Sequence, residues 1–88
     1  MIWELIRAME VNIGGSLRKG TGGASTIDIE ASTIRELLTR LVERYPAMQI
    51  HLDEGVAVAI NGDIYRDDWT RAIPDGAEVF LIPRIKGG

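Results

Sequence analysis

The chain has 88 residues, with 10 Lys and Arg against 13 Asp and Glu, one histidine and no cysteine. A chain of this size makes one small domain that buries about 60–70% of the surface its unfolded form exposes, which excludes a second core or a deep internal active site. With no cysteine and His51 as the one histidine, disulfides, thiolate metal sites, a cysteine nucleophile and a histidine-based zinc site within one chain are excluded as well.

A formal charge of −3 argues against nucleic-acid binding through net charge, because phosphate binding is driven by the counterions that Lys and Arg release. The longest apolar runs are short and strand-like, far from the ~20 residues of a transmembrane helix. Met1 to Ala8, with Glu4 and Arg7 among its apolar residues, is too short and too charged for a secretory signal. The expectation is a cytoplasmic protein with neither nucleic acid nor membrane as partner.

Met9, Val11 and Ile13 alternate with Glu10 and Asn12, as one face of a strand does. Gly14-Gly15 permits a bend, and Ser16 to Lys19 leads into the loop Gly20-Thr21-Gly22-Gly23. Thr26 to Glu30 alternates again, so the two segments predict an antiparallel hairpin. The period then changes. Ile34, Leu37, Leu38, Leu41, Val42 and Tyr45 recur at helical spacing, with charged residues between them. Thr33 and Glu36 form a capping box, Glu36 and Arg40 an i,i+4 pair, and Pro46 stops the helix. Residues 47–55 read as an irregular connection.

Val56 to Ile60 is a strand. Asn61-Gly62 then gives the strongest short-range hairpin signal, since a type I′ turn needs φ > 0 at both positions. Pro74-Asp75-Gly76 makes a further turn, and Glu78 to Ile82 is the last strand, with Pro83 expected to end its pairing. The order predicts an α+β domain: a mixed sheet with one main helix packed on one face.

One helix covers one face of a sheet, yet Val79, Phe80, Leu81 and Ile82 are all apolar. With Val79 and Leu81 turned to the helix, Phe80 and Ile82 point outward, beside Ala57 and Ala59 if that strand is adjacent and in the complementary phase. These four are the candidate partner-docking residues. The alternative is that residues 47–55, or the N-terminal Ile2, Trp3, Leu5 and Ile6, fold over that face.

Other constellations carry less. The Gly20–Gly23 loop has no following Lys-Ser/Thr and no helix immediately after it, so the phosphate motifs fail. Asp63, Asp67 and Asp68 do not have the spacing of a calcium loop. His51 has no obvious partner, and Ser16, Ser25 and Ser32 have no histidine placed for a triad. No catalytic side chain and no metal site are expected.

The tail is different. Beyond Pro83, Arg84-Ile85-Lys86-Gly87-Gly88 extends roughly 16 Å when stretched, enough to enter another protein's active site. Gly87 and Gly88 can pass a narrow channel, and the main-chain carboxylate is a group that a helper enzyme could activate. The competing reading is a frayed end.

From about Met9 to Gly88 the chain resembles the ubiquitin-like β-grasp sulfur carriers, which include the molybdopterin synthase small subunit and the thiamine-biosynthesis sulfur carrier. Asp75-Gly76-Ala77-Glu78-Val79, Pro83 and Gly87-Gly88 resemble their final strand and tail. Leu17-Arg18, Thr21-Gly22-Gly23 and Asn61-Gly62 resemble a subgroup that includes carriers for cysteine biosynthesis. Residues 1–8 extend beyond the usual start, and Arg84 and Lys86 make the tail more basic than many.

The resemblance implies a β-grasp domain over residues 1–83, with 1–8 as an N-terminal extension and 84–88 as a flexible tail. It further implies that an activating enzyme adenylates the Gly88 carboxylate with ATP, and that sulfur from a persulfide displaces AMP to leave a thiocarboxylate for an acceptor synthase. The carrier itself binds no cofactor and is not an enzyme. In an extended tail Arg84 and Lys86 share one side and Ile85 the other. Two alternatives stand beside this one: a ubiquitin-like modifier joined through Gly88 to lysines, and a non-covalent interaction module.

Overall fold

Apolar residues two apart in sequence line one face of a central sheet, and two helices close over that face. The structure is a computed structural model and describes residues 8–84. Strand β1 (Ala8–Ile13) pairs antiparallel with β2 (Thr26–Glu30), Val11 standing opposite Ile27. Val11, Ile13, Ile27 and Ile29 are buried, as their alternation predicts. The connection between them is more ordered than a glycine-rich loop suggests. Gly15–Thr21 forms a 3-10 segment that drops Leu17 into the core at 2% exposure, and the Thr21 hydroxyl donates to Ala24 O at 2.8 Å.

Helix α1 (Ile34–Arg44) buries Ile34, Leu37, Leu38 and Leu41. Its start departs from a simple capping box. Thr33 Oγ1 accepts from the Glu36 N–H at 3.1 Å, but the Glu36 carboxylate takes the Ser32 N–H, at 2.7 Å, while Thr33 is bridged to Ala72. The next two amides of the helix donate to Arg71 O and Trp69 O, so the segment after β4 completes the cap.

Residues 47–55 are not irregular, as the sequence suggests. Met48–Glu54 is a second helix, α2, with Met48 wholly buried in the core. Gly55 ends it at φ +115°, its N–H shared between His51 O and Leu52 O. This segment therefore packs on the helix-covered side and leaves the other face of the sheet alone.

Strand β3 (Val56–Ile60) turns through Asn61 (φ 50°) and Gly62 (φ 91°) into the short β4 (Asp63–Tyr65), as the Asn-Gly pair predicts. Strand β5 (Val79–Pro83) runs antiparallel to β3 and parallel to β1. The result is a mixed five-stranded sheet in the order β2-β1-β5-β3-β4. Leu37, Leu38 and Leu41 share one core with Val11, Ile27 and Leu81. This is the β-grasp arrangement.

Pro83 does not end the ladder. It stands opposite Val56, and the N–H of the next residue, Arg84, donates to Gly55 O at 3.1 Å. A proline removes its own donor but leaves its neighbour's in place.

Candidate docking face and the root of the tail

The sheet face opposite the helices is set by the register. Asn12 pairs with Phe80, Phe80 with Ala59, and Ala59 with Ile64, so these four form one row across four strands. Ala57 and Ile82 pair in the adjoining row. The adjacency and phase that the sequence left conditional are thus met. Phe80 is 39% and Ile64 53% exposed, against at most 9% for the core residues. Ile82 and Ala59 are half-buried. Ala57 is only 3% exposed, beneath a hollow walled by Ile64, Arg66, Ile82 and Arg84, so it shapes the floor of the face more than it offers surface.

Ile64 is a residue the sequence reading passed over. A signal for it existed: a two-residue turn at Asn61-Gly62 places residue 64 opposite residue 59, on the same face.

Charge is divided along this face. Glu10 stands opposite Asp28 beyond the apolar row, and Glu78 leads into β5 beside them. At the other end are Arg66 and Arg84, where the chain leaves the sheet. An apolar strip with acid at one end and base at the other gives a docking partner both contact and orientation.

Arg84 is the last described residue. Its backbone is held by Gly55, and its Nη1 lies 3.7 Å from Asp67 Oδ1. Of the predicted tail, Ile85, Lys86, Gly87 and Gly88 lie outside the described residues, as do Ile2, Trp3, Leu5 and Ile6.

The remaining constellations have local roles. Asp68 accepts from Thr70 Oγ1 at 2.7 Å and pairs with Arg71, which also lies over the Tyr65 ring at 4.9 Å. His51 Nδ1 is 3.9 Å from Glu54 Oε1 on the same short helix. Among the described residues no group of three His, Cys, Asp or Glu side chains could hold a metal ion, and no helix is long and apolar enough to cross a membrane.

Among the described residues, a mixed five-stranded sheet with its helices on one face is the ubiquitin-like β-grasp fold. The chain belongs to the ThiS family, whose model matches residues 11–88. Among solved structures it is similar to the small archaeal modifier protein SAMP1 from Haloferax volcanii, at 24% identity and a TM-score of 0.74, over 92% of this chain and 99% of that one. It is also similar to a chain of the BexX/CysO complex of Amycolatopsis orientalis, at 20% identity and a TM-score of 0.71, over 90% and 98% of the two chains. A third likeness is to a chain of the complex between subunits 1 and 2 of the molybdopterin-converting factor of Helicobacter pylori, at 22% identity and a TM-score of 0.64, over 92% and 99%. At these identities the likenesses show the fold. No curated protein matches the chain.

Proposed function

We propose that this protein is a sulfur carrier whose working group is the main-chain carboxylate of Gly88. The observation that carries the reading is the extent of the family match, which runs through β5 and the tail to Gly88 itself. A free carboxylate is a poor electrophile. A partner enzyme of the adenylating type therefore joins it to AMP from ATP, releasing pyrophosphate. The outer sulfur of a partner's persulfide then displaces AMP to form an acyl disulfide, and a second thiol reduces that bond, leaving as a disulfide with the donor thiol and freeing the thiocarboxylate. The resulting thiocarboxylate donates its sulfur to an acceptor synthase, in a pathway of the molybdopterin, cysteine or thiamine type.

In this reading the protein contributes no catalytic side chain. Phe80, Ile64, Ile82 and Ala59 dock the partner, and Gly87 gives the carboxylate passage through a narrow channel. The complexes in which the Amycolatopsis and Helicobacter neighbours were solved support a fold that works with protein partners. Lys86 matches an acidic wall in that channel and Ile85 an apolar one.

A second reading, a modifier joined through Gly88 to lysines, is favoured by the likeness to the small archaeal modifier protein. Both readings share the adenylate and separate by product. Intact-mass measurement of the protein from its native cell shows a free chain with sulfur replacing oxygen in the first case and lysine adducts in the second. A chain carrying neither, in cells that are making the product, rejects both.

A further inference from the structure

We propose that Gly55 and Asp67 are positioning residues for the tail, holding Arg84 against the domain so that the C-terminal segment departs from a fixed root. Three contacts converge on this one residue. The Arg84 N–H donates to Gly55 O at 3.1 Å. Its aliphatic stem lies over the place where a side chain on residue 55 would stand, since a Cβ built there meets Arg84 Cδ at 3.5 Å and Cβ at 3.6 Å. Its guanidinium reaches Asp67 at 3.7 Å.

Gly55 is suited to this on two counts. Its φ of +115° is one that L side chains rarely adopt, so a substitution strains the backbone whose carbonyl accepts from Arg84, although a Cβ there would make only ordinary contact with the arginine stem. It is also the residue that ends α2, whose Met48 is locked in the core, so the root is tied to the rigid body of the domain. Asp67 is 90% exposed, and an ion pair of that kind is weak by itself. Its part is to direct a side chain whose backbone and stem are already held.

The consequence for chemistry rests on the carrier reading. A root at Arg84 leaves four residues beyond it, which span about 13 Å when extended, in place of the five beyond Pro83. It also means that one backbone residue is ordered before the partner arrives, so less freedom is lost at docking. The docking face then governs how well the carrier binds, and the root governs where its carboxylate lands.

Trypsin tests the root without any partner, because the tail offers two sites, after Arg84 and after Lys86. A protease needs the arginine in an extended, unpaired segment with its side chain free. A synthetic peptide of residues 79–88 gives the intrinsic ratio of the two cleavages. In the folded protein, cleavage after Arg84 relative to Lys86 should fall at least roughly tenfold below that ratio, the scale set by freeing one backbone residue. Asp67→Asn should restore part of the difference and Gly55→Ala more, with cleavage after Lys86 unchanged in both. Asp67→Asn, at an exposed site, is the variant that keeps the test decisive if Gly55→Ala fails to fold. A wild-type ratio equal to the peptide's, or one unmoved by Asp67→Asn, overturns the proposal. With the cognate activating enzyme, the root variants should lower kcat for adenylation at nearly constant KM; a change confined to KM contradicts a positioning role. A wild-type chain that is never adenylated rejects the carrier reading and leaves the proteolysis result standing.

Discussion

Phe80 on β5 stands directly opposite Ala59 on β3, and beyond Ala59 the row ends in Ile64 on β4, so the two largest exposed apolar groups of the sheet flank one small residue. The alanine between them puts only a methyl group between the two larger side chains. Phe80→Asp should therefore weaken docking to the activating enzyme by tenfold or more, the scale of a central interface residue, while thermal stability changes by only about 1 kcal/mol or less. Ile64→Asp should act in the same direction. Binding measured by calorimetry checks both, and wild-type affinity in each variant moves the docking site elsewhere.

Leu41 is 0% exposed and shares the core with Val11 and Leu81 across the helix–sheet contact. Leu41→Ala should cost about 2–5 kcal/mol in urea unfolding, through lost transfer energy and the cavity left behind. A cost below about 1 kcal/mol contradicts the packing described.

Asn61 does two things in one position. It takes φ 50° in the turn, and its Oδ1 accepts the Glu78 N–H at 2.9 Å while its own N–H donates to Glu78 O. Asn61→Gly keeps the turn and loses one side-chain hydrogen bond, a cost of about 0.5–1.5 kcal/mol. Asn61→Ala loses the same bond but keeps an L side chain in the left-handed region without asparagine's tolerance of it, so it should cost more than Asn61→Gly by roughly 1 kcal/mol. Equal costs for the two substitutions contradict this account of the turn.

Glu36 supplies a pH dependence. The Ser32 N–H, then the Ser32 hydroxyl, and then Arg40 hold its carboxyl below the ordinary glutamate value. A depressed value means that its contribution to stability is complete above the ordinary pKa, and is lost as the pH falls through the lowered one. The wild type should thus melt above Glu36→Gln at neutral pH, with the gap closing below about pH 4. A gap of the same size at about pH 2 contradicts the assignment.

How far these features could be read from the sequence differs by element. The α1 stripe of Ile34, Leu37, Leu38 and Leu41 and the Asn61-Gly62 turn are dense local signals, and the structure follows both. Helix α2 lacks them. It has seven residues, no side-chain cap at Ala47, one fully buried residue in Met48, and Ile50 at 61% exposure breaking the apolar pattern. It forms through tertiary contact rather than propensity. The bond from Arg84 to Gly55 was hidden for a related reason: Pro83 argues locally for a stop, and only the pairing of β5 with β3 shows where the next amide goes. On the docking face, Phe80 and Ile82 stood out as apolar surplus in one strand, whereas Ile64 became visible only through its cross-strand partner.

The central claim is that chemistry takes place on the Gly88 carboxylate, and ATP–pyrophosphate exchange with the cognate activating enzyme measures it most directly. The wild-type chain should support exchange. A chain with one alanine appended and a chain lacking Gly88 should both fold like the wild type and support none, because each moves the carboxylate from the place the partner expects it. Exchange at wild-type rates by both altered chains, without processing of the added residue, would contradict the account and leave a non-covalent interaction module in its place.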